Sequence, residues 1–263
     1  IRWYLAREQD QSGQGSETST QAKNAETYFE FLVSDRKERQ TLLGDLLINV
    51  TQFFRDGDAF SALRTVLLQL VKASEEEPLR VWVAGCATGQ EAYSIAMLIE
   101  EARYQAESSC EYKIFATDID KTAIDRASRG RYSLDEALDI PEDLRQRYFS
   151  TQDGDFIARD FVRRRIIFAA HDVSRDPPFV HMDLVCCRNL LIYLKEAAQT
   201  NVLRSLYQAL TPKHGVLMLG LAETPRGLDD AFTVLDAKAH LFRRSAMQLP
   251  ASQSLRDPVQ LPR

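Results

Sequence analysis

The spacing of apolar positions changes near residue 75, and this change divides the chain into two parts. Between residues 25 and 74 apolar side chains recur three or four positions apart, which is the spacing of a helix that buries one face. The pattern predicts helices from about Ala25 to Leu47 and from about Asp58 to Lys72, separated by the stretch INVTQFFRD. The polar run DQSGQGSETSTQAKN predicts a mobile linker. We therefore expect a flexible segment over residues 1–24 and a small helical domain with its linker over residues 25–74.

From Arg80 onward short apolar runs alternate with helical ones. Strands are predicted at RVWVAG, YKIFATD, RIIFAAHD, MDLVCCRN and GVLMLGLAE, and a terminal hairpin at FTVLD and HLFRR. Helices are predicted at QEAYSIAMLIEEARYQA, KTAIDRASRG and LKEAAQTNVLRSLYQAL. This alternation predicts an α/β fold in which helices cover both faces of a parallel sheet. We expect this domain over residues 75–245 and a tail over residues 246–263, with ligands bound beyond the carboxyl ends of the strands.

Composition excludes several classes of protein. A net charge of −5 argues against general nucleic-acid binding, which usually needs a strongly basic domain. The chain has no apolar stretch long enough to span a bilayer and no signal peptide, so a cytoplasmic protein without membrane insertion is expected. The four cysteines form no CxxC pair and have no histidines at ligand spacing, which predicts reduced thiols and no metal site.

The first predicted strand ends in a turn that contains Gly85 and Gly89. Two glycines between a strand and a helix let a ligand approach the backbone closely. The turn lacks the GxGxxG pattern, which weakens a dinucleotide interpretation. Thr88 and Glu91 have the spacing of a capping box, so simple turn geometry explains this stretch equally well.

The second predicted strand ends at Asp118, whose carboxylate is placed to accept both hydroxyls of a ribose. This acid follows Gly89 by 29 residues, later than the roughly 20-residue spacing of the dinucleotide fingerprint. The alternative is that Asp120 caps the next helix and Asp118 is merely solvated. The glycine turn and this acid together favour a nucleoside ligand.

Two later strand ends also carry candidate residues. Asp172 follows the strand RIIFAAHD, where it could receive an adenine amine or simply be a loop residue. Arg188 and Asn189 follow the buried run VCC, at the edge of the sheet where chemistry happens in this architecture. The alternative for the arginine is a structural pair with a nearby acid.

Four motifs, which follow one another along the chain, resemble those of a known protein family. The stretches INVTQFFRD, VWVAGCATGQEAYSIA, FATDID and CRNLLIYL resemble the successive motifs of the CheR-type chemoreceptor methyltransferases. The similarity covers residues 28–244. The sequences DLLINVTQFFRD, RDPPF and HLFRR are most similar to the methyltransferase part of hybrid proteins that also carry a methylesterase-like domain. The start at Ile1, without Met, fits a piece of a longer protein in which this domain is fused to other signalling domains.

The resemblance implies a class I, Rossmann-like methyltransferase fold with a mostly parallel seven-stranded sheet, preceded by a small helical domain. The implied cofactor is S-adenosylmethionine, which leaves as S-adenosylhomocysteine. The family's cofactor contacts fall on Asn49, Thr51, Arg55, Gly85, Glu91, Asp118, Asp172, Val173, Arg188 and Asn189. At Asp172 and Val173 this chain has Asp-Val where relatives often have Asn-Leu. An alternative for INVTQFF, compatible with cofactor binding, is a buried plug between domains with Phe53 and Phe54 as core residues.

The implied reaction transfers a methyl group to glutamate side chains on the cytoplasmic domains of chemoreceptors. Arg188 is the first candidate for steering the acceptor carboxylate, and Tyr193 is a candidate for lining the methyl-transfer pocket. The alternative for Tyr193 is a core aromatic. Three other functions stay open: the same fold acting on another signalling protein, a sensing module that binds the cofactor without turnover, and a nicotinamide dehydrogenase.

Two stretches depart from the family pattern. The helical region before residue 75 is shorter and less basic than the receptor-binding domain of well-known relatives. The segment between Phe149 and Arg165 is short for the three-stranded subdomain that some relatives dock on a receptor's C-terminal peptide, which argues against such a tether. The arginines at 159, 163, 164 and 165 could meet an acidic helical substrate, or could form an ordinary solvated face.

Overall fold

The computed structural model describes residues 25–35, 51–74, 77–212 and 214–245. The chain divides into two compact units, Ile1–Val50 and Thr51–Arg263. In the first unit helix α1 spans Ala25–Ser34, which covers the start of the helix predicted to reach Leu47. The rest of that prediction, the 1–24 linker and the 246–263 tail lie outside the described residues. The division predicted at residue 74 stays a prediction.

The second unit alternates helices and strands. In chain order its elements are α2 (Gly57–Ala73), β1 (Leu79–Ala84), α3 (Gln90–Gln105), β2 (Tyr112–Asp118), α4 (Lys121–Arg129), β3 (Arg131–Tyr132), α5 (Leu134–Ala137), α6 (Glu142–Tyr148), β4 (Phe149–Gln152), β5 (Asp155–Ala158), α7 (Asp160–Arg163), β6 (Ile166–Ala170), β7 (Leu184–Cys187), α8 (Glu196–Ala209), β8 (Val216–Leu219), β9 (Phe232–Asp236) and β10 (Leu241–Arg244). Short 3-10 turns at Leu191–Tyr193 and Asp229–Ala231 complete this part of the chain.

Seven strands form one sheet in the order β6-β2-β1-β7-β8-β10-β9. The first five of these pair in parallel, and β10 runs antiparallel to both β8 and β9. This confirms the predicted mostly parallel sheet and its terminal hairpin. The strand order reverses at β1, which has β2 on one side and β7 on the other. The carboxyl ends of β1 and β7 therefore flank the switch point at which such folds bind ligands.

The two faces of the sheet have separate apolar cores, because successive side chains of a strand point to opposite faces. In β1, Val81 and Val83 belong to the core that also contains residues of α2 and α3. Trp82 and Ala84 belong to the core beneath α8. Helices thus cover both faces, which explains why the central strands are continuous apolar runs in the sequence.

A second, three-stranded antiparallel sheet has the strand order β3-β5-β4. The expectation that the segment after Phe149 is too short for such a subdomain is therefore wrong. The segment is long enough because only two residues, Asp153 and Gly154, connect β4 to β5. Their φ values of 53° and 84° suit a two-residue hairpin turn. The third strand, β3, comes from residues before the segment.

Candidate functional site

The glycine turn after β1 owes its form to left-handed backbone angles. The φ values are 75° at Gly85, 45° at Ala87 and 95° at Gly89. The predicted capping box is wrong, because the Thr88 hydroxyl donates to Gln90 Oε1 at 2.8 Å and no side chain caps α3. The turn therefore leaves the N-terminus of α3 without a side-chain cap and leaves the Glu91 carboxylate available for another partner.

Asp118 at the end of β2 is fixed in place by two backbone amides. Its Oδ2 accepts from the N–H of Ala87 at 2.8 Å, and its Oδ1 accepts from the N–H of Asp120 at 2.9 Å. The alternative of a merely solvated Asp118 is thus wrong. The predicted cap at Asp120 is confirmed, because its side chain accepts from the N–H of Thr122 at 2.8 Å. The Asp118 carboxylate is consequently held beside the glycine turn, with lone pairs left for a ligand.

Arg188 lies at the end of β7 and joins three distant segments. Its Nη1 donates to Glu91 Oε2 at 3.0 Å, at the start of α3. Its Nη2 donates to the Arg55 carbonyl at 2.9 Å and to Asp56 Oδ2 at 2.6 Å, both in the stretch before α2. The guanidinium also lies 5.2 Å from the centre of the Phe60 ring. The sequence motifs around residues 55, 91 and 188 thus converge on one point.

The Arg188 side chain is only 1% exposed, and both its Nη atoms are bound to protein oxygens. The alternative interpretation, a structural pair with nearby acids, describes this geometry. Direct contact with an acceptor carboxylate would require one of these bonds to break. Within the described residues its Nε is buried without a hydrogen-bond partner.

Glu91 is a partly buried carboxylate whose charge depends on its neighbours. Burial raises the pKa of Glu91, and the adjacent Arg188 guanidinium opposes that rise. Arg55 also favours the ionised form, whereas Glu223 disfavours it. The charge state of the site therefore rests on the arginines that the turn and the preceding stretch bring together.

The stretch before α2 is anchored by aromatic packing. Phe53 is 1% exposed and contacts the rings of Tyr132 and Phe149, with centroids 4.9 and 5.8 Å away. The prediction that Phe53 is a core residue is confirmed. Phe54 is partly buried and donates its N–H to Ser94 Oγ at 3.0 Å. The predicted contacts Thr51 and Arg55 lie on either side of this anchor, while Asn49 lies outside the described residues.

Asp172 shapes its own turn after β6. Its Oδ1 accepts from both the N–H and the hydroxyl of Ser174, at 2.9 and 2.5 Å, and its own N–H donates to Asp176 Oδ2 at 2.8 Å. Val173 packs against the core beneath α8. These contacts match the loop-residue alternative, and an adenine contact at Asp172 and Val173 stays a prediction.

Tyr193 and Asn189 follow β7 in the turn that leaves the sheet. Tyr193 is 50% exposed, so the alternative of a core aromatic is wrong. Asn189 has a φ of 57°, and its N–H donates to Glu223 Oε2 at 2.9 Å. Glu223, which is 4% exposed, is not among the site residues predicted from the sequence. An acid directly after the apolar run GVLMLGLA was the available signal.

The arginines considered for an acidic substrate are engaged locally to different degrees. Arg165 forms an ion pair with Glu111, and Arg163 pairs with Asp160 at 3.0 Å. Arg164 is 82% exposed and lies 4.0 Å from Asp160. This arrangement fits the alternative of a solvated basic face.

The cysteines offer no activated nucleophile. All four are free and buried, as predicted for reduced thiols. Burial raises the pKa of the thiols at Cys86, Cys186 and Cys187, so these groups stay protonated near neutral pH. Among the residues that the structure describes, no group of three His, Cys, Asp or Glu side chains could hold a metal ion. In the same part of the chain, no helix has the length and apolar character needed to cross a membrane.

Residues 49–241 match the family described as CheR methyltransferase, SAM binding domain. The chain belongs to the CheR methyltransferase family. Its fold is that of a class I methyltransferase, and the cofactor of the domain is S-adenosylmethionine. The described residues fit that cofactor: a fixed carboxylate at Asp118 and a helix start without a side-chain cap adjoin the glycine turn.

Three relatives illustrate the family. The chain is 40% identical over 225 residues to an uncharacterized 104.1 kDa protein of Rhodobacter capsulatus, covering 85% of this chain and 24% of that protein. It is 33% identical to a putative methyltransferase, Cher3, of Pseudomonas putida, covering 78% of this chain and 76% of that one. It is 30% identical to a chemotaxis protein methyltransferase of Borreliella burgdorferi, covering 78% and 75%. The CheR domain thus spans about a quarter of the first relative and three quarters of the other two.

Proposed function

We propose that this CheR domain transfers the methyl group of S-adenosylmethionine to glutamate side chains on the cytoplasmic domains of chemoreceptors. The product would be a glutamyl methyl ester, which alters receptor signalling during sensory adaptation. Support comes from the family match and from relatives named as chemotaxis protein methyltransferases. The observation that carries the proposal is the convergence of three motifs on the buried Arg188 guanidinium.

This convergence supports the following proposal for the cofactor side of the site. Asp118 is placed to accept the ribose hydroxyls, since it is already oriented by two backbone amides. Gly85 and the uncapped start of α3 lie beside it. Thr51 and Arg55 would close the site from the stretch before α2, and a contact from Asn49 stays a prediction. Asp172 and Val173 would adjoin the adenine, and Asn189 the end of β7.

The acceptor needs no general base. A glutamate side chain has a reference pKa of about 4.3 and is therefore ionised at neutral pH. When bound, S-adenosylmethionine would supply a methyl group on a positively charged sulfur. The acceptor carboxylate oxygen would bond to the methyl carbon as the carbon–sulfur bond breaks, which leaves neutral S-adenosylhomocysteine. The protein's task is to align the two reactants and to exclude water from opposite charges that vanish as the bond forms. The protonated, buried thiols fit a site without a protein nucleophile.

Two residues of the β7 end have separate roles in this proposal. Arg188, through its bonds to Glu91 and Asp56, orients the site. An arginine paired tightly to the acceptor would stabilise the ground state and slow transfer. Tyr193 presents a half-exposed ring beyond the strand end and lines the path by which the acceptor side chain enters.

We also propose that the full-length protein carries further signalling domains. The support is the Rhodobacter capsulatus relative, of which the matched region makes up 24%. The domain would then act beside its fused partners in the cytoplasm, where receptor methylation sites are exposed.

The test is transfer of radiolabelled methyl from S-adenosylmethionine to chemoreceptor-containing membranes, followed by alkali treatment. Label on a receptor band that alkali releases as volatile methanol is the expected result, because esters hydrolyse under these conditions. Label that resists alkali would indicate another acceptor chemistry. Binding of S-adenosylhomocysteine without any transfer would favour another substrate or a sensing module, and binding of NADH instead would favour a dehydrogenase.

A further inference from the structure

Glu223 is a buried carboxylate that no step of the proposed reaction uses. It follows β8 and is 4% exposed. Its Oε2 accepts from the N–H groups of Gly220 at 2.7 Å and Asn189 at 2.9 Å. Its Oε1 accepts from the N–H groups of Leu191 at 2.7 Å and Ile192 at 3.4 Å. One side chain thus binds backbone amides from the ends of two neighbouring strands.

The backbone around this carboxylate is shaped to reach it. Asn189 adopts a φ of 57°, in the left-handed region, which turns its N–H toward Glu223. A Cβ at Gly220 would lie 2.7 Å from Glu223 Oε2 and 2.8 Å from the Asn189 nitrogen. Only glycine therefore allows the two strand ends to approach around the carboxylate.

Three of the four amides that Glu223 binds belong to the turn that follows β7. We call residues 189–193 the acceptor turn. Within it Ile192 and Tyr193 are 48% and 50% exposed, and Leu221 on the neighbouring strand end is 46% exposed. These three side chains follow the carboxyl ends of β7 and β8, where the proposed function requires the acceptor protein to approach.

Burying a carboxylate carries a large desolvation penalty, which charge-assisted hydrogen bonds from fixed donors offset. An apolar side chain would fill the same space without that penalty, but would leave the amides of the acceptor turn unbound. The carboxylate therefore gives geometric definition that packing alone would not give.

We propose that Glu223 is a positioning residue for methyl transfer. It fixes the acceptor turn, and with it Tyr193 and Ile192, relative to the cofactor side of the site. This inference rests on the proposed function in so far as methyl transfer is its readout. A displacement of reacting groups by about 1 Å can cost on the order of a hundredfold in rate. The positioning is thus large enough in effect to be measured.

The test compares Glu223→Gln with a matched control, Asp183→Asn. Gln keeps the shape of Glu but replaces one of its two accepting oxygens by an NH2 group, which cannot accept a hydrogen bond. Asp183 is likewise a partly buried carboxylate that accepts a backbone N–H, from Arg80 at 2.9 Å, but it precedes β7 at the opposite edge of the sheet. Hydrogen–deuterium exchange of the acceptor turn, kcat, acceptor KM and the Kd for S-adenosylhomocysteine are measured for both.

In Glu223→Gln the acceptor turn is expected to exchange faster and kcat to fall at least about tenfold. The Kd for S-adenosylhomocysteine should rise by a much smaller factor than kcat falls, since Asp118 and its turn are untouched and Asn189 is the one residue of the acceptor turn with a proposed cofactor contact. Asp183→Asn should leave exchange of the turn and kcat unchanged. Unchanged exchange and kcat in Glu223→Gln would overturn the proposal. A loss of kcat that is accompanied by an equal fold-loss of cofactor affinity and by a lower Tm would overturn it as well.

A second variant covers failure of Glu223→Gln to fold. Glu223→Asp keeps both oxygens on a side chain one methylene shorter, and a wild-type kcat in that variant would overturn the proposal. If the wild-type protein transfers no methyl group, the proposed function fails. The exchange rates of the acceptor turn then decide the positioning role on their own, because they need no substrate.

Discussion

The buried Arg188 forms an ion pair with the partly buried Glu91, with 3.0 Å between Nη1 and Oε2, although 97 positions separate them in the sequence. The pair joins the end of β7 to the start of α3, across the point where the strand order reverses. Asp56 adds a third charged group at 2.6 Å from Nη2. If the proposed cofactor site is correct, substitutions here should affect both stability and cofactor binding.

Replacement of Arg188 by Gln should be strongly destabilising at neutral pH, because it leaves two carboxylates near each other without their cation. Removing one partner of a buried pair typically costs about 3–5 kcal/mol. Chemical denaturation of the variant measures this loss. Arg64, exposed on α2, provides the control, and Arg64→Gln should change the free energy of unfolding by less than about 0.5 kcal/mol.

The loss in Arg188→Gln should depend on pH. Burial raises the pKa of Glu91, and Arg188 opposes this rise, so the pKa rises further without the arginine. A carboxyl with a raised folded-state pKa loses stability as pH increases through that pKa. The difference from wild type should therefore be larger near pH 7 and shrink toward about pH 5. A difference that is equal at both pH values would contradict this account of Glu91.

Replacement of Asp118 by Ala should weaken binding of S-adenosylhomocysteine by about tenfold to a hundredfold, the range for a charged hydrogen-bonding group. The lost ribose contact and the released Ala87 amide both contribute. Calorimetry measures the Kd. The control is Asp120→Ala, which removes the cap of α4, should cost about 1 kcal/mol of stability and should leave the Kd unchanged. An unchanged Kd in Asp118→Ala would remove the ribose assignment.

Two glycine substitutions separate backbone strain from close packing. Gly89 and Gly154 both have positive φ, at 95° and 84°. A Cβ at Gly89 would lie 2.9 Å from Ala127 Cβ and 3.0 Å from the Tyr132 hydroxyl, whereas one at Gly154 meets nothing within 4 Å. Gly154→Ala should cost about 1–2 kcal/mol from strain alone. Gly89→Ala should cost a further 1–3 kcal/mol or so from overpacking, as measured by urea unfolding. Equal losses of the free energy of unfolding in the two variants would show that the turn accommodates a Cβ at Gly89 without overpacking.

Replacement of Tyr193 by Ala should reduce methyl transfer at least about tenfold while the Kd for S-adenosylhomocysteine stays constant. Stability should change by less than about 0.5 kcal/mol, since the ring is half exposed. Tyr104, which is 83% exposed near the far end of α3, is the matched control and should have no effect on transfer. Wild-type transfer rates in Tyr193→Ala would exclude the residue from the acceptor path.

The central strands of the main sheet could be predicted from sequence because they are buried on both faces. All four residues of β7 and all four of β8 are buried, so each strand is an unbroken apolar run. The small sheet could not be predicted in this way. In β4 only Phe149 is buried, and β3 has just two residues, so neither gives a periodic signal.

The site was predictable only where chemistry follows a strand end directly. Asp118 and Arg188 stand at such positions, and the family resemblance assigned them. The role of Glu223 depends on amides 31 to 34 positions earlier in the chain, a contact that no local pattern reveals. The contact between Glu91 and Arg188 is also distant in the sequence. In addition, the local spacing of Thr88 and Glu91 is equally typical of a capping box.

The most direct measurement is tandem mass spectrometry of a purified chemoreceptor cytoplasmic domain after incubation with this protein and S-adenosylmethionine. The account predicts methyl esters on specific glutamate side chains with wild-type protein, and far fewer with Tyr193→Ala. An unmodified receptor, with S-adenosylhomocysteine still bound tightly by the protein, would contradict the assignment of chemoreceptor glutamates as the methyl acceptor.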